Sequence, residues 1–484
     1  MEAAVPADLR TLVIQQGYNR ASSASVALAR LELAGSPDGE ATATWFYALV
    51  AAFPTVRDSV TFDELKNSWL GTGPSLLMTE TTYAAMQTIF GQQSPGVRLV
   101  VGNELMTSLW AQPGSWGIVP FESLDPQLKV LEIDGISPVR KDFQEVNYPL
   151  KANYRLTPPV FRLPVSNRDS SRLTTVLMTG TTALVRAISA KMRQNGVEYP
   201  ARDIGDWLRG ADIFHTSSEV AFVADCPEPD PYSTSLRFCS ALENIQLLDY
   251  AGVDVIELSG NHVNDWGVDA LRSTLDNYAA HGWPVYAGGM DEDTAKQPAV
   301  VERGGTRFVF LGCNLPGPEF AWAAKDSPGS AACGNFDWLV DEIKRQKANG
   351  YVVIVTLQHY EYYSPEIRPS QRDDFERLAE AGAILVSGSQ AHFAQAMEFH
   401  SGVFIHYGLG NLFFDQMQHY YDNGVSTTDI RREFLDRYVF YGDRLVSIEL
   451  LTAVLEDYSK PRPMTPEERS AFLEEYFLAS GWQP

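Results

Sequence analysis

Two α/β domains, the second a layered arrangement of sheets and helices, are the architecture this sequence predicts, and three observations predict it. Short apolar runs recur through the second half, and each ends in polar or glycine-rich residues. Helical patterns lie between them, and several stop at a glycine. A polar stretch, LPVSNRDSSR at 163–172, follows a proline-rich segment and sets a domain boundary near residue 165.

In the first block, WFYALVAAF and GPSLLM read as strands and TYAAMQTIFG as a helix, and the block closes in WGIVPFESLDPQLKVLEIDG. In the second, the runs are TTVLMTGTT (174–182), ADIFHTSSE (211–219), VDVIELSGNH (253–262), TRFVFLGCN (306–314), GYVVIVTLQH (350–359) and GAILVSGSQAH (382–392), with GVFIHYGLGN (402–411) last. Apolar runs bounded by turn signals read as buried strands. LENIQLLDYAG, VDALRSTLDNYAAHG, FDWLVDEIKRQKANG and DDFERLAEAG supply the helices between them. TPEERSAFLEEYF has a capping start and reads as a helix. It lies in a tail, 426–484, expected to pack on the second domain as an extension. The expected domains are therefore 1–165, 166–425 and 426–484.

The chain of 484 residues is 45% hydrophobic and carries a formal charge of −23. That charge argues against a nucleic-acid partner, which needs a basic face, and against docking to anionic lipid. No run of about 18 apolar residues is present to span a membrane. The opening MEAAVPADLRTLVIQQ lacks a basic segment followed by an apolar one, which leaves open a trimmed signal or anchor upstream of Met1. The oligomeric state is not legible. Cys226, Cys239, Cys313 and Cys333 are even in number and set in loops. They are compatible with two local disulfides, Cys226 to Cys239 and Cys313 to Cys333, or with four free thiols. None has the CxxC spacing of a zinc site.

In open α/β sheets ligands bind beyond the carboxyl ends of the strands. Those ends carry Thr181, Glu219, Asn261, His262, Asp265, Gln358, His359, Gln390, His392 and Asn411. Imidazole, carboxylate and amide groups together suit a divalent cation, and two such ions would activate a water for phosphoryl transfer. A strand-end histidine also serves as a simple turn partner, and the residues alone leave both open.

The order TGTT, SSE, GNHxxDWG, a polar strand end before EYY, GSQAH and HYGLGN resembles the CapA family of bacterial capsule and poly-γ-glutamate synthesis proteins, over roughly residues 172 to 417. The resemblance implies a calcineurin-like metallophosphoesterase fold with α/β/β/α layers. The departures carry as much meaning as the matches. Thr181 stands where the family has a metal-binding Asp, and Ser217-Ser218-Glu219 where it has Asn-Leu-Glu. Gln358-His359-Tyr360 replaces His-Trp-Gly, and Gln390-Ala391-His392 replaces His-Pro-His. Successive strand residues face opposite ways, so His359 cannot simply stand in for a ligand at 358.

The retained set, Glu219, Asn261, His262 and His392, implies one divalent ion (Mn, Zn or Fe) or none. In catalysis His262, Glu219 and Asp265 are the candidates, with Thr181, Gln358, His359, Gln390 and Asn411 orienting a substrate. Trp266 reads as a packing residue. Glu361-Tyr362-Tyr363 reads as a groove lining or an edge strand, His215 as a residue beside the site, and His400, His406 and His419 as structural. GLGN is a tight turn, without the spacing of a nucleotide loop.

The first block has its own resemblance. VTFDELKNSWLGTGP, WGIVPFESLDPQLKVLEIDGISP and YPLKANYRL are similar to periplasmic solute-binding proteins of the phosphate type, over about residues 8 to 157. Together the resemblances imply an extracytoplasmic protein of capsule or poly-γ-glutamate biosynthesis or processing. Its partner would be an anionic polymer or a small phosphoester or peptide, hydrolysed at a phosphoester or amide bond. The alternative is a non-catalytic binding protein that has lost its metals. The net negative charge opposes capture of a polyanion unless the pocket is locally positive, and Arg186 and Arg237 are the nearest basic candidates.

Overall fold

The computed structural model describes residues 5–34, 43–417, 419–420, 426–427 and 429–484 of a mixed α/β chain with several sheets. It divides into two compact units, Met1–Leu173 with Gln483–Pro484, and Thr174–Trp482.

The first unit is built on an eight-stranded sheet whose main path runs Arg30–Leu33, Lys151–Thr157, Ala43–Ala52, Trp116–Pro120, Leu76–Met78, Val97–Leu99. Ala43–Ala52 is buried at nearly every position because strands pair along both of its edges and its two faces are covered, which is why it reads as an unbroken apolar run. The helix Phe62–Trp69 opens with a capping box between Thr61 and Glu64, and the helix Glu80–Phe90 is capped by Thr79.

The polar stretch expected as a linker belongs to this unit. The Asn167 side chain accepts from Phe46 N at 2.8 Å and donates to Phe46 O at 2.9 Å, imitating a strand partner. The buried Arg168 guanidinium donates to Pro138 O and Arg140 O at 2.7 and 2.6 Å. The division between units therefore falls at Leu173 and Thr174, not near 165.

The second unit has four layers. A nine-stranded sheet follows the order Val285–Tyr286, Val255–Glu257, Ile213–Ser218, Leu173–Met178, Arg432–Tyr441, Arg444–Glu456, Lys460–Pro463, with Thr181–Thr182 and Asn411–Phe413 beside it. A six-stranded sheet runs Ala299–Arg303, Thr306–Asn314, Val352–Gln358, Leu385–Ser387, Val403–His406, Met397–His400. Period-two alternation assigns the faces. Leu177, Phe214 and Ile256 face outward onto Ile188, Leu208, Leu248 and Leu271 of the helices on that side. Val309, Leu311, Val353 and Val355 face outward onto Leu339, Ile343, Phe375 and Leu378 of the helices Asp337–Ala348 and Pro369–Ala381. The alternate residues meet between the sheets, where the Phe308 and Phe440 rings are 5.1 Å apart and His215 lies 6.3 Å from Phe310.

The tail is not an added extension. Its hairpin, Arg432–Tyr441 against Arg444–Glu456, enters the nine-stranded sheet next to Leu173–Met178. Charged residues inside a two-faced strand disguised it: Glu433 and Asp436 are both buried. Asp436 Oδ2 lies 2.6 Å from His406 Nδ1 and accepts from Tyr438 OH at 2.9 Å, while Asp436 Oδ1 has no hydrogen-bond partner. Glu433 has no hydrogen-bond partner at either oxygen. The helix Pro466–Ala479, capped by Thr465, packs Phe472 and Tyr476 against Phe434.

Candidate active site

Parallel pairing brings the strand ends together. Thr181 lies in register with Ser217 on one side and Asn411 on the other, so the residues following Ile213–Ser218 and those opening Asn411–Phe413 share one edge. Glu219 follows directly and is 1% exposed. The Asn261-His262 turn reaches it because residue 260 is glycine: a Cβ there would stand 2.8 Å from Glu219 Cα.

His392 adopts a left-handed backbone, φ 57°, a conformation few residues other than glycine tolerate. Its ring fixes it there. Nδ1–H donates to Asn411 Oδ1 at 2.8 Å, Asn411 Nδ2 returns a bond to His392 O at 3.2 Å, and Nε2 faces Glu219 Oε1 at 3.1 Å. Glu361 Oε1 lies 3.7 Å from the same nitrogen. Burial disfavours the imidazolium, but the carboxylates of Glu219 and Glu361 outweigh it and push the pKa up to about 10. Burial would raise Glu219, and His392, with smaller help from His262 and Arg186, holds it below its ordinary value. The pair is an imidazolium bonded to a carboxylate.

His262 has a different carboxylate partner. Its Nδ1 lies 2.7 Å from Asp265 Oδ2, an oxygen that also accepts from Phe238 N at 2.9 Å. Burial lowers the His262 pKa, and the bond to Asp265 and the charge of Glu219 more than reverse it. A carboxylate on Nδ1–H fixes the tautomer and leaves Nε2 for proton transfer. The Phe238 ring, 4.7 Å from the imidazole, forms the adjacent wall.

Phe238 immediately precedes Cys239, and of the two states the sequence left open the structure has the disulfides, Cys226–Cys239 and Cys313–Cys333. The first closes a loop with a sequence separation of 13 that rests on the site through Phe238 and through Arg237, whose Nε donates to Asp265 O at 2.7 Å. Replacing Cys226 and Cys239 together by serine is expected to cost about 2–4 kcal/mol of stability, read as a lower urea midpoint. It should also free Phe238, read as faster amide exchange there.

The amide and hydroxyl replacements are engaged by the protein. Gln390 Nε2 donates to Ser217 Oγ at 2.7 Å, and Gln358 bridges Asn261 Oδ1 at 3.1 Å and Asn314 Nδ2 at 2.9 Å. Thr181 Oγ1 donates weakly to Ser389 O at 3.4 Å. His359, expected in the substrate set, follows the strand Val352–Gln358, and its Nε2 lies 3.1 Å from Asp374 on the helix Pro369–Ala381.

Glu361-Tyr362-Tyr363 lies in no strand and adjoins the site. Tyr363 OH donates to Glu361 Oε2 at 2.8 Å and accepts from Gln416 Nε2 at 3.1 Å. Trp266 packs under the Arg237 guanidinium, 4.6 Å from its ring. The His419 side chain lies outside the described residues. Sequence reasoning missed Phe238, the buried Glu257, and Phe414, whose ring lies 5.3 Å from that of His392. Of these only Glu257 left a signal, a carboxylate inside an apolar run.

Two buried oxygens here, Glu219 Oε2 and Gln390 Oε1, have no donor, and a buried acceptor without one is costly. Glu219 Oε2 is thus the atom that could meet one divalent cation, and His392 would join it only by giving up its Nε2 proton. A second does not fit, because Thr181, Gln358 and Gln390 offer no charge and bond to the protein. Among the described residues, the group of three or more His, Cys, Asp or Glu side chains close enough to share an ion is Glu376, Glu398 and His400, not the expected set. Arg372 already pairs with Glu398 in that group.

The sequence profile of the bacterial capsule synthesis protein family PGA_cap matches residues 175–416, half of the chain. The chain belongs to that family. Capsule biosynthesis protein CapA of Bacillus anthracis is 24% identical over 283 residues, covering 55% of this chain and 68% of that protein. PGA biosynthesis protein CapA of Bacillus subtilis is 26% identical over 176 residues, covering 36% of this chain and 46% of that protein. The solved NAD nucleotidase of Haemophilus influenzae aligns at a TM-score of 0.31 and 11% identity over 63% of this chain and 55% of that one, a likeness too slight to carry an argument. The family match spans the strands, turns and disulfide loop that build the site, from Thr175 to Gln416.

Proposed function

We propose that this member of the capsule synthesis family works in the cell envelope, outside the cytoplasmic membrane, in the biosynthesis or processing of a poly-γ-glutamate-type polymer. Its activity is hydrolysis of an amide bond. The observation that supports this most directly is that each of two imidazoles has its own carboxylate, His262 with Asp265 and His392 with Glu219. His262 Nε2 takes the proton of the attacking water, and the oxygen bonds to the carbonyl carbon. As the C–N bond breaks, His392 gives its Nε2 proton to the leaving amine, and Glu219 holds the imidazolium in place until then. Gln358, Gln390, Thr181 and Asn411 line the polar side of the site.

At the reacting centre an uncharged amide is favoured over a charged phosphoester because the nearest arginines are committed. Arg186 is bound by Asp415 at 2.5 Å, and Arg237 by Asp265 O. A second reading, one divalent ion (Mn, Zn or Fe) at Glu219 and His392, is favoured by the donorless Glu219 Oε2. Such an ion would supply a Lewis acid for the scissile carbonyl. The first unit we read as a domain of the phosphate-type solute-binding kind, on the resemblance over residues 8 to 157. Among the described residues no helix is long and apolar enough to cross a membrane.

The experiment offers γ-linked glutamate oligomers and, separately, p-nitrophenyl phosphate. Release of new amino groups from the oligomers is expected. Turnover of the phosphoester alone would replace the amide reading. Binding of oligomers without turnover would make the protein a non-catalytic binder.

A further inference from the structure

Beneath the site lies a buried ionic cluster that the acid–base reading does not use. Glu257 ends the strand Val255–Glu257 and is fully buried. Its Oε1 accepts from Ser259 Oγ at 2.6 Å, and its Oε2 accepts from Ser389 Oγ and lies 3.3 Å from His215 Nε2. Tyr286 OH stands 2.8 Å from that nitrogen and accepts from Thr356 Oγ1 at 3.1 Å.

The two serines belong to different loops. Ser259 lies three residues before His262, in the turn leaving the nine-stranded sheet, and Ser389 three residues before His392, in the turn leaving the six-stranded sheet. One carboxylate therefore holds both turns that carry the site's imidazoles. Burial penalises this charge, and the bond and charge of His215 together with the two serine hydroxyls keep it ionised, below its ordinary pKa. Hydrogen bonds to an ionised acceptor are shorter and stronger than neutral ones, so a tie of this kind resists displacement of either turn.

We propose that Glu257 is a positioning residue, whose carboxylate sets the separation of His262 and His392 by bonding Ser259 and Ser389 at once. This rests on the reading of His262 and His392 as the acid–base pair. A purely structural Glu257 would alter stability alone. A positioning Glu257 alters how firmly the imidazole N–H groups are held in a protein that is still folded.

The test uses Glu257→Gln, which keeps the shape and removes the charge, and Ser389→Ala, which cuts one tie and leaves Glu257 paired with His215 and Ser259. The decisive readout is the pair of low-field ring N–H resonances of His262 and His392 in 15N-edited spectra at one fixed pH, taken on the full chain. In folded Ser389→Ala both are expected to broaden or vanish through faster exchange with water, and kcat to fall at least tenfold with KM within twofold. Sharp resonances at their wild-type positions in folded Ser389→Ala would overturn the proposal, whatever kcat does. Should Glu257→Gln fail to fold, Ser389→Ala decides alone. Should the wild type show no turnover, the acid–base reading fails and the resonances still judge the positioning.

Discussion

His262→Ala is expected to lower kcat for γ-glutamyl amide hydrolysis by about 10²–10⁴-fold, the usual loss when a positioned general base is removed. The ring is 21% exposed at its side chain while its partner Asp265 is 5% exposed, so the carboxylate is the anchored member and the imidazole the working one. Truncation leaves Asp265 its bond from Phe238 N, and the turn keeps its shape. Circular dichroism and the unfolding midpoint should therefore stay near wild type. Asp265→Asn is expected to be nearly as damaging to kcat, because an amide no longer selects the Nδ1–H tautomer. Initial rates of amine release across oligomer concentrations, with the midpoint measured on the same samples, check both variants. A folded His262→Ala protein at wild-type rate would remove His262 from the chemistry.

Glu433→Gln is expected to remove a pH-dependent penalty on the fold. Burial alone holds the Glu433 proton well above the ordinary glutamate range, and neither oxygen has a partner. An acid with a raised folded pKa contributes its full stability below the unfolded value and loses it as pH rises toward the folded one. The unfolded chain releases the proton first, so wild-type stability falls by about 1.4 kcal/mol per pH unit across that interval. The paired acids Glu219 and Glu257 act in the opposite sense, since their depressed values give stability that is lost as pH falls. Urea unfolding of both proteins at several pH values above the ordinary carboxylate range isolates the Glu433 contribution as a difference. The Gln variant should gain on wild type steadily with pH, and parallel curves would contradict the assignment.

The layered second unit was readable because its strands alternate between apolar outward residues and a fixed polar exit. The run 306–314 coincides with the strand Thr306–Asn314. The run 253–262 outlasts its strand, Val255–Glu257, because the Asn261-His262 turn continues in the same polar register. The hairpin Arg432–Glu456 was not readable: Glu433, Asp436 and Arg437 imitate a solvated tail while lying buried, and only the partners supplied by the fold, such as His406, reveal why.

At the site, Glu219, His262, Asp265, His392 and Asn411 converge as their positions at strand ends imply. His359 does not, because just past the end of its strand its ring bonds to Asp374. Glu257 escaped because its donors, Ser259, Ser389 and His215, come from three separate segments.

The central claim is that Thr181, Gln358 and Gln390, each bonded within the protein, leave a hydrogen-bonded site that accepts at most one cation. Elemental analysis by inductively coupled plasma mass spectrometry tests this most directly, on untagged protein soaked with Mn, Zn and Fe and freed of excess metal. The account predicts no more than one equivalent per chain, lost in Glu219→Gln. Two equivalents lost together in that variant would contradict it.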